Sequence, residues 1–268
     1  MKYCLRYAPL INGRYKEADE LFFIHLEDLK SYIYDNRETK QRLIIEIDED
    51  DDYLKDIKEL REMGYDIAIC TSVYCDKLID FSEANIPFFF YNHCNNWENL
   101  HTLISLGVSD VYIVEQLGFE LDKVKKICGD KVQIRTYPNV CQLPAIGGKC
   151  KLDKIYGFFI TPNEIPIYEK YIDVCEFFYN SQKKEEVYFD IYKNESWLGN
   201  LKDLIGDFDE DIYSQYLFPT FGIYRSVCGR ECLKGEKCNL CQRAIELSNE
   251  FQKEGKLLKL NRLTKEEE

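Results

Sequence analysis

The feature that most limits how this chain can fold is an alternation that starts near residue 42. Short β-branched or aromatic runs take turns with charged, amphipathic stretches. Leu43–Asp48, Ile67–Thr71, Pro87–His93, Asp110–Glu115, Val132–Tyr137, Tyr156–Thr161 and Val174–Tyr179 read as strands. Between them, Tyr53–Met63, Asp76–Ala84, Trp97–Leu106, Leu121–Ile127 and Ile165–Tyr171 carry helical patterns. Strands spaced by helices of this length are the signature of repeated βαβ units and a parallel sheet. With Tyr3–Tyr7 as the opening strand the count is eight, which predicts an α/β fold closed as a (β/α)8 TIM-like barrel, with a doubly wound open sheet as the alternative. Residues 9–38 fit this rhythm poorly, since Leu21–His25 reads either as an extra strand or as the start of a helix running through Tyr34.

From residue 186 the rhythm breaks. The predicted organisation is a barrel core over 1–185 and a Cys-rich C-terminal extension over 186–268, packed on the barrel, with helical patterns at Leu201–Gly206 and Cys241–Glu254. With 45% hydrophobic and 14% aromatic residues, the chain has the material for a buried core and is not a disordered segment. The net charge of −13 argues against general nucleic-acid binding or a polybasic membrane contact, since both need an excess of Lys and Arg. No apolar run approaches the ~18 residues of a membrane span and no leader pattern opens the chain, so the expected location is cytoplasmic.

In a barrel of this kind chemistry gathers at the carboxyl ends of the strands. The polar residues expected there are Arg6, Glu46, Asp48, Thr71, Ser72, Asn92, His93, Glu115, Gln116, Arg135, Tyr137, Thr161 and Glu176. Period-two alternation puts Glu46 and Asp48 on one face with Ile44, and Gln133, Arg135 and Tyr137 on another. Charges on inward faces must pair, because an isolated buried charge is prohibitively costly, so a charge-paired barrel mouth is expected. Glu46, His93 and Arg135 are the candidate catalytic residues: Glu46 or His93 would move protons and Arg135 would bind an anionic group. For the acidic run Asp48–Asp52 the competing reading is a helix N-terminus, where the dipole favours anions.

Twelve cysteines are unevenly spread: Cys228, Cys232, Cys238 and Cys241 fall within fourteen residues, spaced C-x3-C-x5-C-x2-C. Four thiolates so close can surround one ion or one small cluster, which makes these four the candidate metal ligands. Zinc, an iron–sulfur cluster of the 4Fe-4S kind, and unligated thiols all remain open on spacing alone. Arg225, Arg230, Lys234, Lys237 and Arg243 surround them and would offset thiolate charge or form a local RNA- or partner-binding patch. Cys141 and Cys150 flank Gly147-Gly148 and are candidate ligands or redox thiols, whereas Cys4, Cys70, Cys128 and Cys175 sit in or beside apolar runs as buried, inert cysteines would.

Asn92-His-Cys-Asn-Asn-Trp-Glu-Asn-Leu, Leu106-Gly-Val-Ser-Asp-Val-Tyr-Ile-Val-Glu-Gln-Leu, Val132–Cys141 and Gly148-Lys-Cys150 resemble the collagenase-like peptidase family of unassigned catalytic type. The likeness spans roughly residues 60–180, and departs where the family's Tyr-Ser-Gly-x-Cys stands as Ile146-Gly-Gly-Lys-Cys. It implies a barrel whose cysteines hold an iron–sulfur cluster, in a family of peptidases and of oxygen-independent hydroxylases of RNA bases or a quinone precursor. By that likeness Cys141 and Cys150 match cluster ligands, and Cys238 and Cys241, followed by Gln242-Arg243, match a later Cys and its Arg. The expected function is a metal-dependent barrel enzyme that modifies, by hydroxylation in the family's manner, a small molecule or nucleobase. The alternatives are a non-catalytic barrel that docks a protein partner through a zinc-stapled segment, and a peptidase-like hydrolase. The last lacks a Gly-x-Ser-x-Gly or His-Glu-x-x-His motif.

Overall fold

The alternation resolves into eight parallel strands in a computed structural model that describes residues 1–7, 15–48, 53–71, 78–91, 94, 96–113, 120–138, 160, 162, 165–177 and 185–193. In chain order the strands are β1 (Lys2–Arg6), β2 (Glu20–Phe23), β3 (Arg42–Ile47), β4 (Ile67–Thr71), β5 (Phe88–Phe90), β6 (Asp110–Tyr112), β7 (Gln133–Thr136) and β8 (Val174–Glu176). The helices are α1 (Leu26–Asp35), α2 (Leu54–Glu62), α3 (Leu78–Glu83), α4 (Trp97–Ser105), α5 (Leu121–Cys128), α6 (Ile165–Tyr168) and α7 (Glu185–Lys193).

The ladder runs β5-β4-β3-β2-β1-β8-β7-β6, every pair parallel. The ring closes between β5 and β6, where Ser109 donates its N–H to the Phe88 carbonyl at 2.8 Å and Cys94 donates to that of Tyr112 at 2.7 Å. Cys94 also bridges Ile113 in parallel register. This is the expected (β/α)8 arrangement, with two corrections to its strands. The region left ambiguous is both things at once, a strand at Glu20–Phe23 and then α1. The expected strand at Tyr156–Thr161, of which 156–159 and 161 lie outside the described residues, does not stand between β7 and β8, since these pair directly through Arg135–Val174 and Thr136–Cys175. Ile160, the one described residue of that run, is not in a strand.

The chain divides into two units. One comprises Met1–Ile113, Leu121–Thr136 and Tyr171–Phe177 and holds all eight strands; the other comprises Val114–Glu120, Tyr137–Lys170 and Phe178–Glu268. In the second unit the Tyr192 hydroxyl of α7 donates to the carbonyls of Ile160 at 2.6 Å and Pro138 at 3.2 Å. Residues 194–268, with both helices expected there and the four clustered cysteines, lie outside the described residues, as do Cys141 and Cys150.

Alternation along each strand of the first unit sorts its side chains between two environments. Leu21 and Phe23, Leu43 and Ile45, Ile67 and Ile69, Phe88 and Phe90, Val111 and Ile134 are buried on the outer face. Buried side chains of this size contribute about 1.5–3 kcal/mol each. Leu29 and Ile33 of α1, Ile57 of α2, Phe81 of α3, Leu100 and Leu103 of α4 and Val124 of α5 supply the buried helical side. Local signals set the helix ends: the Asn96 side chain accepts a 2.8 Å hydrogen bond from the Asn99 N–H as the N-cap of α4, and Gly107 just beyond its end takes φ +79°.

Candidate functional site

The inner face of the ring is where this barrel departs from the branched aliphatic filling usual for the fold. Register partners in a parallel pair project to the same side, so Cys4, Glu20 and Arg42, aligned across β1, β2 and β3, share one face. Arg135, Phe89, Tyr112, Asp110 and Glu176 meet them there. The result is a buried network of charges packed among aromatic rings.

At its centre Arg135 is fully buried. Its Nη1 lies 2.6 Å from Glu20 and 2.9 Å from Asp110, its Nη2 lies 3.2 Å from Glu176, and its guanidinium stacks 5.1 Å from the Phe89 ring. Arg42 holds both Asp110 oxygens at 2.7 Å in a bidentate pair, with Ser109 donating to the same carboxylate at 2.6 Å. Burial pushes the Asp110 carboxyl up, but Arg42, then Arg135 and Ser109, outweigh it and hold the group down at about 2. At the amino ends of the strands Lys2 closes the network, 3.1 Å from Gln133 and 3.8 Å from Glu20.

Toward the carboxyl ends the network reaches the mouth. Glu176, fully buried, accepts a 2.6 Å hydrogen bond from the Tyr112 hydroxyl and lies 3.8 Å from Nε of Arg6. Arg6 stacks over Phe22 and Tyr91, at 4.9 and 5.4 Å, and donates to the Tyr91 hydroxyl at 2.6 Å. Glu46 stands two residues before the carboxyl-end Asp48 and is half-buried. Among the described residues no hydrogen bond or ion pair reaches its carboxylate. Burial raises its proton affinity, and Asp48 and Glu176 raise it further against the pull of Arg6. A carboxyl raised in this way and left without a described donor is of the kind that general acid–base chemistry uses.

Of the residues singled out from sequence, Glu46, Arg135, Arg6 and Glu176 come together on this inner face. Arg135 does bind anionic groups, but the three it binds are the protein's own, and the cation nearer solvent is Arg6. Glu20, Arg42 and Asp110 were missed. Each opens its strand, where a charge reads as solvent-facing; the available signal was period two, which aligns Glu20 with Phe22, Arg42 with Ile44 and Glu46, and Asp110 with Tyr112. His93 lies outside the described residues, as do Ser72, Asn92, Glu115, Gln116 and Thr161. Among the described residues no group of three or more His, Cys, Asp or Glu side chains is placed to hold a metal ion. The described cysteines Cys4, Cys70, Cys94, Cys128 and Cys175 are all buried. Burial, then Glu176, pushes the Cys4 and Cys70 thiols well up, so neither is an activated nucleophile. No described helix is long and apolar enough to cross a membrane.

No protein-family model matches the chain, and no curated protein matches it. Among solved structures, tryptophan synthase from M. tuberculosis is similar at 10% identity, over 70% of this chain and 79% of that one, with a TM-score of 0.42.

Proposed function

We propose that this chain is a barrel enzyme that modifies a small molecule or nucleobase at the carboxyl-end mouth of its ring, with Glu46 as the proton carrier and Arg6 facing the substrate. The observation that carries the reading is the Glu46 carboxyl: half-buried, reached by no described donor, and raised in proton affinity beside a charge network that is otherwise paired. A carboxylate kept only for stability would be paired like Glu20, Asp110 and Glu176.

The clustered cysteines Cys228, Cys232, Cys238 and Cys241 belong to the same proposal on their chemistry as donors. Four thiolates at that spacing suit an iron–sulfur cluster or a zinc ion, and a cluster would relay to an external electron acceptor the two electrons lost when water supplies the oxygen of a hydroxylation without dioxygen. The chain's own part is to close the ring, hold Arg6 and present the Glu46 carboxyl without a described donor.

The interaction-module reading is supported by the filled interior, in which aromatic and charged side chains take the space a substrate would need lower in the ring. One experiment separates the two. Anaerobically purified protein is analysed for iron and zinc and incubated with a mixture of nucleosides and phenolic small molecules together with an excess of a soluble electron acceptor such as ferricenium, water being the oxygen source, and the products are read by mass spectrometry. The enzyme reading expects broad visible absorbance and a mass gain of one oxygen that Glu46→Gln abolishes while the folded signal is kept. A colourless protein with one zinc and no mass change in any component favours the docking module.

A further inference from the structure

Arg6 on β1 and Glu46 on β3 both stand toward the carboxyl ends of their strands, yet no ion pair joins them. Among the described residues Arg6 meets Glu176 at 3.8 Å from its Nε and the Tyr91 hydroxyl at 2.6 Å from its Nη2. The rings of Phe22 and Tyr91 fix the plane of the guanidinium between these contacts. Glu176 is itself rigidly set, with Tyr112 at 2.6 Å and Arg135 at 3.2 Å on its Oε2, and it is fully buried at the end of β8.

We propose that Glu176 is a positioning residue: with Tyr91 opposite, it keeps the Arg6 guanidinium from swinging onto Glu46, and so leaves Glu46 without a cationic partner and able to carry a proton. This deepens the acid–base reading of the mouth and rests on it. Two carboxylates compete for one arginine, and the buried one wins because it is preorganised by Tyr112 and Arg135 while Glu46 has no described donor to fix it. The described charged and titratable groups near Glu46 are Arg6 on β1, Glu176 on β8, Asp48 on its own strand and Cys70, its register partner on β4. Burial raises the Glu46 carboxyl most, and of these groups only Arg6 opposes it, so a movement of Arg6 shifts its titration.

The test is the titration of Glu46 itself, followed by carbon NMR in the full chain with carboxyl-labelled glutamate, the signal being assigned by its loss in Glu46→Gln. In Glu176→Asp, which keeps the charge and shortens the reach to Arg6, and to a smaller extent in Tyr91→Phe, the Glu46 midpoint is expected to fall by about one unit as Arg6 turns to it. A midpoint that stays in place or rises in either folded variant overturns the proposal. A purely structural role for Glu176 would lower the melting temperature of Glu176→Asp without moving that midpoint. Should Glu176→Asp fail to fold, Tyr91→Phe decides alone, because Tyr91 is at the mouth and only partly buried. If the midpoint falls as expected while Glu46→Gln keeps the oxygen-transfer activity, Glu176 still positions Arg6 and it is the assigned reaction that fails.

Discussion

At the scale of single residues, Arg135 is the most exacting position in the molecule. It neutralises Glu20, Asp110 and Glu176 from one fully buried site, and no water can replace it there. Arg135→Ala removes the cation shared by three buried carboxylates, leaving Asp110 to Arg42, Glu176 to Tyr112 and Arg6, and Glu20 to contacts at 3.7 Å and beyond, and is expected to cost about 3–5 kcal/mol, read as a lower urea midpoint. The sequence made part of this site legible. Arg135, Glu46, Arg6 and Glu176 were visible because a charge late in an apolar alternating run has to be explained, and the strand end is where such a fold places its chemistry. Asp110 was legible as a strand residue but not as a partner. Which acid meets which base is decided across the ring, between positions 115 residues apart for Arg135 and Glu20 and 68 apart for Arg42 and Asp110. No local pattern encodes that.

Elements were easier to read where hydrophobic period and length agreed. The helices α2, α4 and α5 and the strands β3, β4, β6 and β7 stand within a few residues of their expected places, because each is bounded by a turn signal and has one clear apolar face. Strand β2 was obscured because its four residues open with a charge and run almost at once into α1, so a strand and a helix share one apolar stretch. Tyr156–Thr161 has the apolar character of a strand, but β7 and β8 pair directly and leave no position between them. Asn96→Ala removes the hydrogen bond to the Asn99 N–H at the start of α4, and a loss of about 1 kcal/mol is expected, measured as a shift in the chemical-denaturation midpoint.

For the whole molecule, the consequence of an interior built from ion pairs is a defined response to acid. The folded-state carboxyl of Asp110, at about 2, lies below the unfolded aspartate value of about 3.9, so its contribution is complete above that value and is lost as pH falls from about 4 toward 2. Glu46 works in the other direction: its folded carboxyl is raised, so its contribution is present in acid and is lost as pH rises through the folded value. Melting temperatures from neutral to about pH 3 should therefore drop steeply at the acid end, and Asp110→Asn should flatten that drop while lowering stability at neutral pH.

The seam between β5 and β6 has its own consequence. Among the described residues it is fastened by the Ser109 and Cys94 amides and the Cys94–Ile113 bridge, whereas its neighbours are zipped by runs of paired residues. A ring with one thin joint gives way there first. Opening it turns a closed annulus into a ribbon with two raw borders, and those borders are where a heated or crowded sample would begin to stick to itself.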